Sequence, residues 1–364
     1  MAAPAAGPRL LADDALHEAI RAYVGPRAPE VDACQCTLRE GLAHLAELGA
    51  VDLGVLRRDD AAVFERMCEV TATVALDDMS QAFSLWAHRM AIEYLFQSDE
   101  ACHLRSTVLP RLLKAEVLGS TSFASATANY LAGTPLPLTF KRRPDGGLVV
   151  SGRIAWASNL EPPFISVAAA ANADDPSDRV VFAYSEATPG LKLPEYPRIL
   201  ALQSTASTSP LFEEAHVAPE EILTQDFEGF VGRIFPTFLM IQCSFCWGMS
   251  RRALAEAESG LAGPAEILRD DYEALRARFT DAETRLRTMA STADRTQIAH
   301  RDLLQLRLDF GRLAVDSVAL EAKIAGGRGY MLHSGTSRRL REAAFLPVQA
   351  PTEIQLRWLL SRSA

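Results

Sequence analysis

Apolar residues recur at helical spacing through the first third of the chain. Four leucines follow one another at intervals of three and four residues and end at Gly49, a residue that commonly stops a helix: Leu38, Leu42, Leu45 and Leu48. The same spacing recurs over residues 63–74, 81–96 and 100–113, with Pro110 at a position where a new helical turn could begin. This pattern predicts a helical first segment.

The pattern changes near residue 116, where β-branched and small residues replace the helical spacing up to about residue 224. The sequence Pro-Asp-Gly-Gly at 144–147 is typical of a hairpin turn, and the partly alternating run at 148–156 follows it. A second strand–turn–strand unit is predicted over 164–184. The middle of the chain is therefore expected to form a β domain.

Helical spacing returns after Phe227 and continues to the end of the chain. Residues 235–254 are strongly apolar, residues 267–290 are charged on one face, and residues 303–325 carry regularly spaced apolar side chains. The predicted order is therefore helical, β, helical.

Composition excludes several classes of protein. The 364 residues are 48% hydrophobic and carry a net charge of −9, with no basic stripe, so the chain can bury a large core and is not expected to bind nucleic acid. The six cysteines are too few for a disulfide framework in a chain of this length. The start lacks a signal-peptide pattern, and the apolar run 234–249 is shorter than the ~18 residues of a membrane span. We expect a cytoplasmic protein without a membrane segment.

Several motifs occur in an order that resembles the acyl-CoA dehydrogenase family. They are Trp-Ala-Ser-Asn at 156–159, Ile-Ala-Gly-Gly-Arg-Gly-Tyr at 324–330, and an Arg-Glu step followed by Thr-Glu-Ile-Gln at 341–355. The resemblance implies an N-terminal helical domain (1–116), a central β barrel-like domain (117–225) and a C-terminal four-helix bundle (226–364). It also implies a homodimer or homotetramer, because active sites of the family borrow residues across interfaces.

The resemblance further implies FAD as cofactor, with FMN as the alternative. In the family the aromatic of the first motif lies near the isoalloxazine ring, and the hydroxyl donates to its N5 edge. The residues expected to bind the cofactor are Thr121, Ser122, Trp156, Ser158, Arg269, Gly326, Gly327 and Gly329. The chain departs from the family pattern at several places: residues 119–127 lack the usual Glu-Pro pair, and Glu273 stands where a glycine follows the Arg-x-x-aromatic motif. Thr280 and Lys323 stand where the family has glutamines. Without the resemblance, the glycines would simply indicate a tight turn between helices.

The catalytic glutamate of the family is missing. Its position falls on Gln349 or Ala350, and neither side chain can accept a proton. General-base catalysis typically contributes ~10²–10⁴-fold, so ordinary dehydrogenation would be crippled. We therefore expect a reduced flavin that reacts with oxygen, as in an oxidase or a monooxygenase supplied by a flavin reductase. Two alternatives stay open: a dehydrogenase with a relocated base, Glu353 or Glu228, and an inactive scaffold of the same fold.

His88 is the remaining catalytic candidate, beside Ser158 and Glu353. It follows an apolar helical face and is either a core histidine or, as in monooxygenase relatives of the family, a residue that assists the oxygen chemistry of the flavin. His333, past the glycine turn, is a further candidate. The lone pair Cys243 and Cys246 lies in an apolar helix without a second pair, which favours buried structural thiols over a metal or redox site.

The substrate is the least determined feature of the sequence. We expect a small organic acid derivative or an aromatic, presented as an acyl thioester or free. A set of aromatic residues is expected near the pocket and suits such a ligand, although it equally suits a helix core: Phe83, Trp86, Phe235, Phe238 and Trp247.

Overall fold

The N-terminal part of the chain is helical. The computed structural model describes residues 13–55, 61–99 and 102–362. Two short helices meet at Val108, so a new turn does begin at Leu109-Pro110. The helices are α1 (Asp13–Asp32), α2 (Leu38–Glu47), α3 (Ala61–Asp77), α4 (Met79–Gln97), α5 (His103–Thr107) and α6 (Leu109–Leu112). Helix α4 begins at the cap Asp78, whose side chain accepts from the Gln81 amide, and is buried over almost its whole length.

The central segment is a curled mixed sheet that also contains one helix. Its elements are β1 (Leu118–Thr121), α7 (Ala124–Ala132), β2 (Leu138–Arg142), β3 (Leu148–Arg153), β4 (Phe164–Asn172), β5 (Arg179–Ser185), β6 (Leu191–Lys192), β7 (Leu211–Val217) and β8 (Ile222–Thr224). The strand order is β6-β7-β3-β2-β4-β5-β8, and β1 pairs with β4. Strands β1 and β2 run parallel to β4, whereas the other pairings are antiparallel.

Both predicted strand–turn–strand units are present in this sheet. Strands β2 and β3 pair around residues 144–147, where Gly146 has a φ of 87° and the Asp145 side chain accepts from the Gly147 amide. The sheet curls until β5 faces β7, since the ring of Tyr184 lies 5.0 Å from that of Phe212. These rings fill the interior of the barrel-like domain.

The C-terminal part is a helical bundle built around one long helix. Its helices are α8 (Phe227–Gly260), α9 (Arg269–Ala290), α10 (His300–Ala325), α11 (Gly335–Ala343) and α12 (Glu353–Arg362). Helix α8 packs against α9 and α10. It also packs against α3, and this contact joins the two helical domains. The predicted fold class, mainly helical with a central β domain, is confirmed.

By length and composition alone, helix α8 is long and apolar enough to cross a membrane. The apolar run 234–249, taken from the sequence, was too short to suggest this. However, 83% of the helix's most apolar window is buried inside the protein. Its apolar surface is therefore used as the centre of the folded bundle.

Candidate functional site

A cleft of about 730 Å³ lies where the three parts of the chain meet. Its volume falls within the ~300–1,000 Å³ typical of sites for small ligands. Its lining comes from α4, from β1 and the loop after β3, from the loop at 199–207, from α8, and from the segment 341–355. A ligand here would touch all three segments.

One wall of the cleft carries four of the predicted cofactor-binding residues. Thr121 ends β1 and Ser122 follows it, while Trp156 and Ser158 follow β3. The Thr121 hydroxyl lies 2.8 Å from the Tyr94 hydroxyl, while 56% of the Trp156 surface is exposed. The structure therefore brings these four residues together and leaves a flat aromatic face open to the cleft.

The hydroxyls on this wall are held by other hydroxyls. Ser158 Oγ lies 2.7 Å from Ser207 Oγ, and Ser122 Oγ lies 2.6 Å from the Tyr184 hydroxyl. Burial raises the pKa of Tyr184 to about 12, so its proton stays available for donation. The wall can therefore present oriented donors and acceptors without any charge of its own.

Asn159 fixes the loop that carries Trp156 and Ser158. Its side-chain amide donates to the carbonyl oxygens of Ser84 (2.9 Å) and Gly119 (3.0 Å), and its oxygen accepts from the Ser84 hydroxyl at 2.7 Å. Asn159 thereby ties the loop to α4 and to β1. The sequence motif contains this residue, but its spacing alone did not indicate this positioning role.

The opposite wall is aromatic. Phe83 stacks on Trp86 with 5.1 Å between ring centroids, and Phe345 and Phe238 pack edge-on against this pair. Two aromatics expected near the pocket are not among its lining residues. Phe235 packs against Tyr130 and His300, and Trp247 packs beneath Arg251 and Arg287.

In the described part of the chain, the cleft lining includes no Asp, Glu, His, Cys, Lys or Tyr. Among the residues that the structure describes, the charged side chains in the lining are Arg153 and Arg341. Arg341 makes a two-pronged ion pair with Asp32, and Arg153 donates to the Ser209 hydroxyl at 2.8 Å. Arginine stays protonated at physiological pH. The described lining therefore offers no carboxylate, imidazole or amine that can accept a proton from a substrate.

The two proposed relocated bases lie elsewhere. Glu353 is paired with Arg312 at 2.7 Å, and Glu228 is paired with Arg179 at 2.6 Å. Neither is among the residues that line the cleft. The structure thus corrects the expectation that Glu353 acts on substrate, because its carboxylate is held by a cation outside the cleft.

Gln349 and Ala350, the two residues expected at the position of the family's glutamate, both line the cleft. Gln349 is 4% exposed, and its side-chain oxygen accepts from the Arg307 guanidinium at 2.8 Å. Arg307 also donates to the Gln242 side-chain oxygen at 3.0 Å. Sequence reasoning missed Arg307 and Gln242. The available signal was an arginine directly between Leu306 and Leu308, two of the regularly spaced apolar residues of α10.

His88 belongs to the core and not to the cleft. Its Nδ1 accepts from the Gly119 amide at 2.8 Å, which leaves Nε2 as the protonated nitrogen that donates to the Leu112 carbonyl at 2.9 Å. The helix and strand approach closely here, since a Cβ on Gly119 would lie 2.6 Å from the Ala91 Cβ. His88 therefore joins α4 to the β domain, which corrects its expected place beside flavin or substrate.

Replacing His88 by Ala is expected to lower stability in a pH-dependent way. Burial lowers the pKa of His88 to about 4, whereas the unfolded histidine titrates near ~6.5, so between these values the unfolded state binds more protons. Wild-type stability supplied by neutral His88 is therefore present above pH ~6.5 and lost as the pH falls towards 4. The difference in unfolding free energy between wild type and His88→Ala, measured in urea, should shrink by about 3 kcal/mol as the pH falls through this window. A gap that does not change with pH would contradict this assignment.

The remaining predicted residues lie away from the cleft within one chain. Arg269 is at the surface and pairs with Glu266 at 2.9 Å. Gly326 and Gly327 are exposed in the turn after α10, Gly329 is buried beside Thr336, and none of them lines the cleft. The exposed His333 does not line it either.

The paired cysteines are buried thiols, as predicted. Cys243 and Cys246 are fully buried in α8, and burial raises the pKa of Cys246 to about 11. Among the described residues, no group of three or more His, Cys, Asp or Glu side chains is placed to hold a metal ion.

Comparison with solved structures identifies the class of fold. Butyryl-CoA dehydrogenase from Megasphaera elsdenii superposes with a TM-score of 0.84 at 15% identity, covering 96% of each chain. A structure described as PigA with FAD and proline gives a TM-score of 0.81 at 15% identity, covering 96% of this chain and 97% of the other. The prolyl acyl carrier protein oxidase AnaB gives 0.83 at 15% identity, covering 96% and 98%.

The chain therefore has the acyl-CoA dehydrogenase fold over nearly its whole length. No protein-family model matches the sequence, and no curated protein matches it.

Proposed function

We propose that this protein is an FAD-dependent oxidoreductase whose reduced flavin is oxidised by molecular oxygen, as an oxidase or a monooxygenase. The observation that carries the proposal is the cleft itself. It combines hydroxyl donors and an open Trp156 face, and its described lining residues include no side chain that acts as a base. Abstraction of an α-proton needs a base within hydrogen-bond reach, and oxygen chemistry in a dry apolar pocket does not. A dehydrogenase with a relocated base is less well supported, because Glu353 and Glu228 are each paired with an arginine outside the cleft.

The residues present fit a flavin ring. Trp156 offers an unpacked aromatic face, and the hydroxyls of Thr121 and Ser158 supply hydrogen-bonding groups beside it. Stacking and donors at the ring edge are the contacts by which a protein orients a flavin and adjusts its electronics. The pyrophosphate half would need further groups, and Arg269 with the exposed glycines would provide them from a second subunit. We therefore propose a homodimer or homotetramer.

Bound FAD would supply the redox chemistry, accepting electrons and passing them to oxygen. The chain would supply orientation and a dry site. Ser158 and Thr121 would donate hydrogen bonds at the ring edge, while Phe83, Trp86 and Phe345 would exclude water. Electrons would come from the substrate in an oxidase, or from NAD(P)H through a separate flavin reductase in a monooxygenase.

The substrate we propose is a small organic acid derivative or an aromatic, bound as an acyl thioester or free. The aromatic wall suits a flat or apolar group, and the cleft volume suits a small one. Two structural neighbours add support, since one is a prolyl acyl carrier protein oxidase and another was solved with FAD and proline.

Flavin titration tests the cofactor. We expect micromolar FAD to bind with a shifted flavin absorbance, and Trp156→Ala to weaken binding about tenfold, because an aromatic contact contributes ~0.5–1.5 kcal/mol beyond its buried area. The control is Trp358→Ala, which removes an exposed tryptophan outside the cleft and should leave the FAD dissociation constant unchanged. If wild-type protein does not bind FAD, the scaffold alternative holds.

Anaerobic reduction tests the reaction class. Bound FAD is expected to stay oxidised when butyryl-CoA is added without oxygen, to be reduced by NADH with a flavin reductase, and to recover its absorbance when air is admitted. Reduction by butyryl-CoA that persists when air is admitted would support the dehydrogenase alternative.

A further inference from the structure

The geometry points to Gln349 as a hydrogen-bond donor to an oxygen acceptor on the substrate, a carbonyl or carboxylate oxygen. We propose that this donor selects the substrate in place of the missing base. The inference deepens the proposed function, because Gln349 faces the same cleft as the expected flavin.

The orientation of the Gln349 amide is determined by its neighbour. Arg307 has only donors, so the atom that lies 2.8 Å from its Nη2 must be the amide oxygen. The amide nitrogen then points away from Arg307. Nε2 is buried and has no hydrogen-bond partner among the residues that the structure describes. A buried donor without a partner is unfavourable, so its retention at the cleft wall indicates a partner supplied by a ligand.

Arg307 makes this donor stronger than an ordinary amide. It is 1% exposed, and its acceptors on Gln242, Leu346 and Gln349 are all uncharged. A guanidinium that donates to the oxygen of an amide polarises it and makes the N–H groups better donors. The buried positive charge also attracts negative charge on the far side of the amide.

The position of Gln349 is held by the same network. Gln242 accepts from Arg307 through its side-chain oxygen and donates through its side-chain nitrogen to the Ala350 carbonyl at 3.1 Å. Gln242 therefore fixes the backbone just after Gln349, and Arg307 fixes the Gln349 side chain. Neither of these two residues lines the cleft. Arg307 and Gln242 are positioning residues, and Gln349 is the group that would touch the substrate.

The rest of the lining agrees with an oxygen acceptor as the partner. No carboxylate lines the cleft within the described ranges, and its two charged side chains are both arginines. A ligand cation would find no counter-ion there, whereas a carboxylate or a polarised carbonyl would meet the Gln349 amide. The ligand class is thus a small aromatic or apolar acyl compound with a carbonyl or carboxylate oxygen.

Benzoate and acetophenone are suitable probes, because they pair one aromatic ring with a carboxylate or a neutral carbonyl. We expect both to bind, benzoate more tightly, and Gln349→Leu to weaken benzoate binding about 10- to 100-fold in calorimetry. Gln349→Glu should weaken it at least tenfold, because a carboxylate would then oppose a carboxylate. The control Gln305→Leu changes a glutamine of α10 outside the cleft and should leave both dissociation constants unchanged.

An NMR measurement on the Gln349 side-chain amide of the wild-type protein tests the contact even if a variant does not fold. The side-chain ¹⁵N–¹H signal of Gln349 in the wild-type protein, assigned by its absence in Gln349→Asn or Gln349→Leu, is expected to move downfield when benzoate is added. The titration is run before and after saturation with FAD, so failure to bind flavin and failure of this contact give separate results. An unmoved amide signal, equal benzoate affinity in wild type and Gln349→Leu, or no binding of either probe would overturn the proposal.

Discussion

The Glu321→Gln protein is expected to lose about 3–5 kcal/mol of unfolding free energy, because removing one partner of a buried ion pair leaves the other charge uncompensated. Glu321 and Arg339 form such a pair between α10 and α11, with side chains that are 1% and 6% exposed. Arg339 Nε lies 2.9 Å from the Glu321 carboxylate, which also accepts from the Thr336 hydroxyl at 2.6 Å. Chemical denaturation at pH 7 measures the loss.

A matched control lies on the same helix. Asp316 of α10 pairs with Arg278 at 2.8 Å, but both side chains are 48% exposed. Asp316→Asn is therefore expected to cost about 0–1 kcal/mol, the usual contribution of a solvated pair. Equal losses for the two variants would show that burial does not make the Glu321 pair more important than a surface pair.

The Glu321 pair also bears on the cleft. It anchors α11, which contributes Arg341 to the lining and leads directly into the segment that ends at Gln349. The wall that carries the proposed donor is thus fixed on one side by a buried ion pair and on the other by Arg307. A rigid wall of this kind is what a site needs if a single amide is to select its ligand.

The order of the three segments could be predicted from the sequence, because helical spacing and strand alternation are local signals. Each of three local patterns correctly predicted the element in which it lies: the leucines that end at Gly49, the turn at 144–147 and the apolar run of α8. Trp156 and Ser158 could also be placed, since a short motif near the end of one strand keeps its residues together in space.

The side-chain network behind the cleft could not be predicted in this way. Gln242, Arg307 and Gln349 come from α8, from α10 and from the segment after α11, so no spacing within one element links them. The sequence could not decide between the two readings of His88, the core and the cleft, for a related reason. Its helix does border the cleft through Phe83 and Trp86, but helical rotation turns His88 towards β1.

A second large effect is expected from Glu342, whose titration should make the protein less stable as the pH rises. Burial raises the pKa of Glu342 to about 8, with Asp78 and Asp32 adding to the rise and Arg338 and Arg339 opposing it. The unfolded carboxyl titrates near ~4.3, so between these values the folded state binds more protons than the unfolded state. The contribution of Glu342 is therefore fully present below pH ~4.3 and is lost as the pH rises through 8.

Glu342→Gln separates this contribution from the other titrating groups. The amide mimics the protonated carboxyl at every pH, so wild type should lose about 3–5 kcal/mol relative to Glu342→Gln between pH ~5 and ~9. Unfolding free energies of both proteins, measured across this range, give the difference. Groups that do not interact with Glu342, such as His88, titrate in both proteins and cancel. Parallel curves would mean that Glu342 is already ionised at neutral pH, with Arg338, whose Nε lies 3.8 Å from its carboxylate, compensating the cost of burial.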